Sequence, residues 1–202
     1  MLVVLVLLYN RLVRLRNRSE NAWAQVEVQL KRRHDLIPNL VETVKGYAAH
    51  ERGTFDSVTE ARSSAQHAAT VEQQAAAENA LTAARSSAQQ ARTVEQHAEA
   101  ENVLTAALGR LFAVAEAYPQ LRATENFQQL QSQLDETEDR IAVARQLYND
   151  AVLGYDNARE TVPTSLVAGM VGFEAKPYFE IDERSRALPQ ADFSALPAPQ
   201  DG

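Results

Sequence analysis

Four histidines and a band of glutamates are the residues of this 202-residue chain whose chemistry suits metal binding or acid–base catalysis. The histidines are His34, His50, His67 and His97. None belongs to an HExxH motif or follows a glutamate by three residues, which are the spacings of helical zinc and di-iron sites. His97 and Glu101 are one turn apart and could share a metal ion, but that spacing is common on solvated helix faces. We therefore expect no metal and no cofactor.

The acidic band consists of Glu72, Glu78, Glu95, Glu99, Glu101 and Glu116. Carboxylates perform acid–base catalysis only where a pocket perturbs their pKa values and admits a substrate. A thin bundle offers little room for such a pocket, so a solvated face is the more ordinary interpretation. The alternative is a metal- or small-ligand-dependent enzyme that uses this band. Because the chain also lacks cysteine, a glycine-rich phosphate loop and a GxSxG turn, we expect that it is not an enzyme.

The elements that would position these residues are helices. The chain is rich in Ala, Gln, Glu, Leu and Arg, which favour helix, and it lacks the alternating runs typical of strands. We predict an all-α fold, an elongated antiparallel bundle of long helices. One apolar stripe with helical spacing runs from Trp23 to Val58, and Pro38 within it predicts a kink or a local break.

Two further helices follow. One is predicted to end at Tyr118-Pro119, because a residue before proline disfavours helical geometry. The next is predicted to begin after the N-cap Thr124 and to end at Thr161-Val162-Pro163. A short apolar piece, Leu166–Phe173, is expected to cap the bundle.

Residues 61–106 contain a near-identical tandem repeat of 23 residues. Each copy carries a capping-box pattern, Thr70 with Gln73 and Thr93 with Gln96. Twenty-three residues turn a helix face by about 140° beyond whole turns, so one straight helix cannot present both copies on one face. We predict that one cap is overridden and that a single hairpin with longer arms forms.

Polar residues interrupt the apolar stripes at matching intervals. Arg33 and His34 fall in a gap of the first stripe, and Glu138 and Arg145 fall in gaps of the last one. Polar groups near a core destabilise it unless they are paired. We expect Glu138 to pair with Arg33 or Arg145 and to fix the register of the helices, although a ligand site is the alternative.

The N-terminus has the features of a membrane anchor. Its apolar residues are Leu2, Val3, Val4, Leu5, Val6, Leu7 and Leu8, and its arginines are Arg11, Arg14, Arg16 and Arg18. The run is too short to span a bilayer, which takes roughly 20 residues. It is therefore the end of a transmembrane helix, an interfacial anchor or an apolar terminus docked on the protein's own core. The arginines either contact lipid headgroups or set topology, and they predict a cytoplasmic body.

Charge and composition divide the chain into three parts. We predict a partial transmembrane anchor with a basic neck (1–20), a helical bundle (21–175) and a disordered tail (176–202). Seven cations and two acids lie in residues 1–33, although the whole chain has a net charge of −7. A basic neck below an acidic body suits an anionic membrane surface, and we expect no nucleic-acid partner.

Several motifs resemble those of the LemA family of bacterial membrane-associated proteins. They are YNRLVRLRN (9–17), AWAQVEVQLKRRHDLIPNLVETVKGYAAHE (22–51), EAYPQL (116–121), ENFQQLQSQLDETEDRIAVARQLYN (125–149), Pro163 and Tyr178-Phe179. The resemblance implies one transmembrane helix, an elongated helical body and no established enzymatic activity. The chain departs from the family in its short apolar run and in its doubled 23-residue segment.

This resemblance sets our functional expectation. It implies a membrane-anchored helical scaffold or interaction protein of the bacterial envelope, located at the inner membrane by a single pass. The expected partners are membrane lipids and proteins at the membrane, including a membrane metalloprotease system encoded near relatives. Self-association through an exposed Ala-rich repeat is a further alternative, because small side chains allow helices to approach closely.

Overall fold

The computed structural model describes residues 2–55 and 62–180, and every regular element in those two ranges is an α-helix. The helices are α1 (Leu2–Phe55), α2 (Arg62–Gln90), α3 (Val94–Glu116), α4 (Pro119–Arg122), α5 (Glu125–Glu160) and α6 (Thr164–Val171). The all-α prediction is confirmed. The predicted helix ends near Tyr118 and at Thr161 are also confirmed, since α3 ends at Glu116 and α5 has Thr161 as its C-cap.

The body consists of two antiparallel helix pairs that pack face to face. Helix α1 pairs along most of its length with α5, and α2 pairs with α3. A shared core lies between the pairs, and its fully buried members include Leu40, Leu81, Leu104, Leu111 and Phe127. The predicted elongated antiparallel bundle is confirmed, because α1 alone is about 80 Å long at about 1.5 Å per residue.

Three apolar clusters follow one another along α1. The four-helix core lies around Ile37–Val44, and a second cluster joins Val26 and Leu30 to Tyr148 and Phe179. The third lies nearest the N-terminus, where Leu12 packs against Tyr155 of α5, Val167 of α6 and Phe173. The apolar stripe predicted for α5 and the part of the α1 stripe from Trp23 to Val44 therefore face the core, and the remainder of the α1 stripe lies outside the described side chains.

Helix α1 continues without interruption through Pro38, so the local break expected there is absent. Proline has no N–H, and the carbonyl of His34 consequently lacks its usual helical donor. Arg85 of α2 replaces that donor, because its Nε lies 3.0 Å from the His34 carbonyl oxygen. A side chain from a neighbouring helix thus satisfies the backbone group that proline leaves unpaired.

The repeat is accommodated by a reversal of the chain at residues 91–93. Helix α2 runs past Thr70, so the first candidate cap is overridden as predicted. The second cap is used, with a complete capping box between Thr93 and Gln96 at the start of α3. The prediction of a single hairpin between the first helix and the helix ending near Tyr118 is wrong, because α2 is an additional helix. As a result α3 runs in the same direction as α1.

Some alanines of the repeat are buried, whereas Ala75, Ala76, Ala83 and Ala106 are exposed. The buried ones, with at most 8% exposure, are Ala77, Ala84, Ala88, Ala98 and Ala100. Small side chains let the backbones of α2 and α3 approach closely, and this explains the close packing of these two helices. Self-association through the repeat stays a prediction.

The segment after α6 corrects the predicted tail boundary at residue 176. Gly172 adopts a left-handed conformation (φ 80°) that ends α6 and turns the chain back along α1 and α5. Phe179 is completely buried, and its N–H and C=O bond the side-chain amide of Asn149 at 2.9 and 3.2 Å. Residues 176–180 thus belong to the folded body, and the remainder of the predicted tail lies outside the described residues.

Candidate functional site

A buried carboxylate lies at the centre of the bundle. Glu101 of α3 has no exposed surface, and its two oxygens bind neighbouring side chains of α1. Oε2 lies 2.9 Å from Arg33 Nη1, and Oε1 lies 2.7 Å from His34 Nε2. Arg33 and His34 are themselves only 5% and 6% exposed. The carboxylate is therefore removed from water and bound at both oxygens.

The guanidinium of Arg33 extends this contact to the other helices. Its Nη2 donates to Thr105 Oγ1 at 2.9 Å and lies 3.2 Å from a carboxylate oxygen of Glu138 on α5. With the bond from Arg85 of α2 to the His34 carbonyl, the polar cluster touches all four long helices. We define the buried polar cluster as Arg33, His34, Arg85, Glu101, Thr105 and Glu138.

The sequence identified part of this cluster. Arg33, His34 and Glu138 are brought together, including the expected Arg33–Glu138 pair, whereas Arg145 lies two turns further along α5. Arg145 is half-buried and lines a groove with Asn149 and Phe179. That the cluster fixes helix register stays a prediction.

Sequence reasoning missed the central role of Glu101, which it placed in a solvated acidic band. A signal was available, because Glu101 lies three residues before Leu104 and three after Ala98, on the inward stripe of α3. Its repeat equivalent, Glu78, is also buried and bonds Gln74 at 2.9 Å and Lys45 at 3.3 Å. The acidic band therefore consists of inward and outward residues, with Glu95, Glu99 and Glu116 exposed.

The geometry bears on the metal hypothesis for His97 and Glu101. Both Glu101 oxygens are occupied by α1 side chains, so neither is directed to a shared ion with His97. Among the side chains that the structure describes, those of residues 2–47 and 73–180, no group of three His, Asp or Glu is arranged to hold a metal. What the cluster can do chemically is to orient four helices through charge-assisted hydrogen bonds in a water-poor interior.

His97 lies beside this cluster against an aromatic group. Its ring is 5.4 Å from that of Trp23, which also contacts Tyr148 in a tilted arrangement at 5.2 Å and Phe179 edge-on at 5.3 Å. The His97 Nδ1 atom is buried without a hydrogen-bond partner. Desolvation lowers the pKa of His97, although Glu27 and Glu101 oppose the shift. Burial therefore favours the neutral imidazole in the folded protein.

This lowered pKa predicts a pH dependence of stability. Since the unfolded chain binds the proton more tightly, the contribution of His97 is complete above pH 6.5 and is lost as pH falls below it. A His97→Gln variant should therefore lose less stability than the wild type between pH 7 and pH 5, measured by urea unfolding. Parallel curves for the two proteins would contradict the assignment, and His97→Gln at pH 8 serves as the reference for packing changes.

The N-terminal end has a different character. Residues Leu2–Leu7 form the exposed first turns of α1, with exposures from 45% to 77%, and Leu8 is half-buried against the third apolar cluster. The alternative of an apolar terminus docked on the protein's own core is thus wrong for Leu2–Leu7. Of the described helices, none has an apolar stretch long enough to cross a membrane.

The four arginines that follow this run are exposed, although Arg16 also contacts neighbouring side chains. Arg11, Arg14 and Arg18 are exposed and have no acidic partner among the described residues, whereas Arg16 lies 3.8 Å from Glu20 and 5.6 Å from the Phe173 ring centre. The N-terminal end of the bundle therefore presents exposed apolar turns followed by exposed arginines.

These features define a class of long-helix bundle proteins with an apolar, basic N-terminal end and a charged interior. The profile of the LemA family matches residues 22–84 and 79–193, and the chain belongs to that family. The resemblance stated from the sequence is confirmed. The two matched stretches meet at residues 79–84, the boundary between the two copies of the repeat.

The chain is also similar to magnetosome proteins. Magnetosome proteins MamQ 1 and MamQ 2 of Paramagnetospirillum magneticum are each 27% identical to it over 182 residues, which are 89% of this chain and 67% of theirs. Magnetosome protein MamQ of Magnetospirillum gryphiswaldense is 25% identical over 181 residues, 88% of this chain and 66% of the relative.

Proposed function

We propose that this protein is a membrane-tethered scaffold of the bacterial envelope that presents long helical faces to partner proteins without catalytic turnover. The observation that carries the proposal is the exposed apolar run Leu2–Leu7 at the start of the helix that forms the body. An exposed apolar surface of this kind marks a membrane or protein contact. Because the apolar run is the start of α1, the orientation of the tether in the membrane would fix the orientation of the whole bundle.

The charge distribution supports a particular orientation. Exposed Arg11, Arg14 and Arg18 follow the apolar run directly, and cations at the end of a membrane segment favour the cytoplasmic side. We therefore propose an inner-membrane location with the body in the cytoplasm. Family membership and the similarity to magnetosome proteins support association with a membrane.

A scaffold without turnover agrees with the interior of the bundle. The most buried carboxylate, Glu101, binds Arg33 and His34 with both oxygens, an arrangement suited to holding helices rather than to exchanging protons with a substrate. The partners we propose are lipids and membrane-bound proteins, including a metalloprotease system.

The tether is tested by flotation of the full chain with lipid vesicles. Replacing Leu5 and Leu7 together by aspartate should abolish flotation, because each buried aspartate opposes membrane insertion by about 2.5–3.5 kcal/mol. The matched control replaces Val28 and Val103, which are 62% and 54% exposed on the body, by aspartate and should float like the wild type. Equal flotation of both variants would refute the tether.

A further inference from the structure

Helix α6 carries an apolar row that faces away from the core. Leu166 and Met170 are spaced four residues apart on this helix, and they are 66% and 81% exposed, while Val162, two residues before the helix, is 72% exposed. Val167 and Ala168 on the opposite face are buried in the third apolar cluster. The helix Thr164–Val171 contains no charged residue. Only the face with Val167 and Ala168 packs on the core, so the outer row has no partner among the described residues.

The position of α6 along the rod is set by Phe173, the second residue after the helix. The Phe173 ring lies 5.8 Å from that of Tyr9, and the Arg16 guanidinium lies 5.6 Å from its centre. Tyr9 and Arg16 are about 10 Å apart along α1. Tyr9 immediately follows the apolar run Leu2–Leu8, so α6 is at the level where the proposed tether leaves the bilayer.

We propose that the outer face of α6 is a second membrane contact, which lies on an anionic lipid surface beside the tether. The proposal rests on the proposed function and adds a surface that orients the rod. An apolar face that enters the headgroup region by about 5–10 Å is how interfacial helices bind. Arg11, Arg14 and Arg18, on the turns of α1 that follow the tether, are exposed and complement anionic headgroups.

A second exposed apolar pair, on α5, shows why we propose a membrane as the partner of α6. Val143 and Leu147 on α5 are also four residues apart and are 60% and 57% exposed. They lie in a groove with Glu136, Asp139 and Arg140, so their surroundings carry acidic groups, and the pair is distant from the N-terminal end. The pair on α5 is as apolar as the outer face of α6, but it lies near neither the exposed arginines of α1 nor the proposed tether. It is therefore a matched control.

Single-cysteine labelling tests the proposal, because the chain contains no cysteine of its own. An environment-sensitive dye would be placed on the full chain at Leu5→Cys, Met170→Cys or Leu147→Cys. Vesicles of phosphatidylcholine and phosphatidylglycerol, with and without brominated lipid, would then be added. We expect blue-shifted and quenched emission at positions 5 and 170 and unchanged emission at position 147.

The outcomes separate this contact from the tether. An aqueous dye at position 170 with a membrane-embedded dye at position 5 overturns the role of α6 and leaves the tether intact. An aqueous dye at both positions overturns both proposals. A shift at position 170 that follows protein concentration without vesicles assigns the face to a second copy of the chain and also overturns the lipid contact.

A second measurement uses binding strength. Leu166→Ser with Met170→Ser should weaken partitioning into anionic vesicles by about tenfold. Val143→Ser with Leu147→Ser should leave it unchanged. Both pairs are exposed, so neither variant removes core packing. Equal partitioning of the two double variants would overturn the proposal.

Discussion

Replacing Glu101 by alanine is expected to lower the free energy of unfolding by about 3–5 kcal/mol. The reason is that the variant leaves Arg33 Nη1 and His34 Nε2 in a buried space without their acceptor, although Arg33 Nη2 keeps Thr105 and Glu138. Both are at most 6% exposed, so water cannot readily replace the lost carboxylate. Urea unfolding followed by circular dichroism at pH 7 would measure the change.

A graded series distinguishes this effect from a general loss of charge. Glu138 touches the same guanidinium, but its side chain is 30% exposed, so Glu138→Ala should lower the unfolding free energy by only about 1 kcal/mol. Glu99 on the exposed face of α3 should tolerate alanine without a measurable loss. Comparable losses in all three variants would contradict the assignment of Glu101 as the centre of the cluster.

A compensating variant tests whether the unpaired charge is the cause. Replacing Glu101 by leucine together with Arg33 by methionine removes both charges and keeps the volume of the site. We expect the double variant to recover most of the stability lost in Glu101→Ala, since apolar replacements of buried ion pairs are often neutral. A double variant as unstable as the single one would show that the fit of the side chains, rather than their charge, dominates.

Phe179→Ala is expected to lower the free energy of unfolding by about 3–5 kcal/mol, the usual range for a buried phenylalanine. The side chain has no exposed surface and fills the cluster formed by Trp23, Tyr148 and Val152. Its loss should also release the segment after α6. Urea unfolding would give the stability, and hydrogen exchange at Phe179 N–H would report the release.

Two tyrosine hydroxyls also bond the segment between α6 and Phe179. The hydroxyls of Tyr148 and Tyr155 donate to the carbonyls of Pro177 and Glu174 at 2.7 and 2.8 Å. Burial raises the pKa of Tyr148 to about 12, so the donor stays protonated well above neutral pH. Tyr178→Ala is the matched control. That neighbouring side chain is 40% exposed, so its loss should change the free energy of unfolding little. Equal losses in the two variants would contradict the docking role of Phe179.

The apolar stripes could be read from the sequence because they depend on local periodicity alone. A stripe such as Phe127, Leu134 and Ile141 repeats at the helical period whatever packs against it, and Thr161-Val162-Pro163 stops a helix by backbone sterics. The partner helix of each stripe was not readable. Both copies of the repeat carry a capping box, yet only Thr93 starts a helix, and α2 continues through Thr70.

The polar cluster shows the same division residue by residue. Arg33, His34 and Glu138 stood out because they break an apolar stripe, but Glu101 sits among alanines and glutamates whose pattern is consistent with a solvated face. Only the reversal at residues 91–93 places Glu101 opposite Arg33. Likewise, a proline-containing segment after α6 resembles a loose tail in sequence, and its burial depends on a hydrophobic gap that α1 and α5 create together.

By itself the sequence determined that the protein is helical, where its long apolar faces lie, that its N-terminal end is apolar and basic, and to which family its motifs belong. Those properties follow from side-chain chemistry and from a period of about 3.6 residues, both of which are local. The tertiary structure alone decided the direction of α3, the burial of Glu101 and the docking of Phe179. Each of these depends on contacts between residues far apart in the chain, which no local pattern encodes.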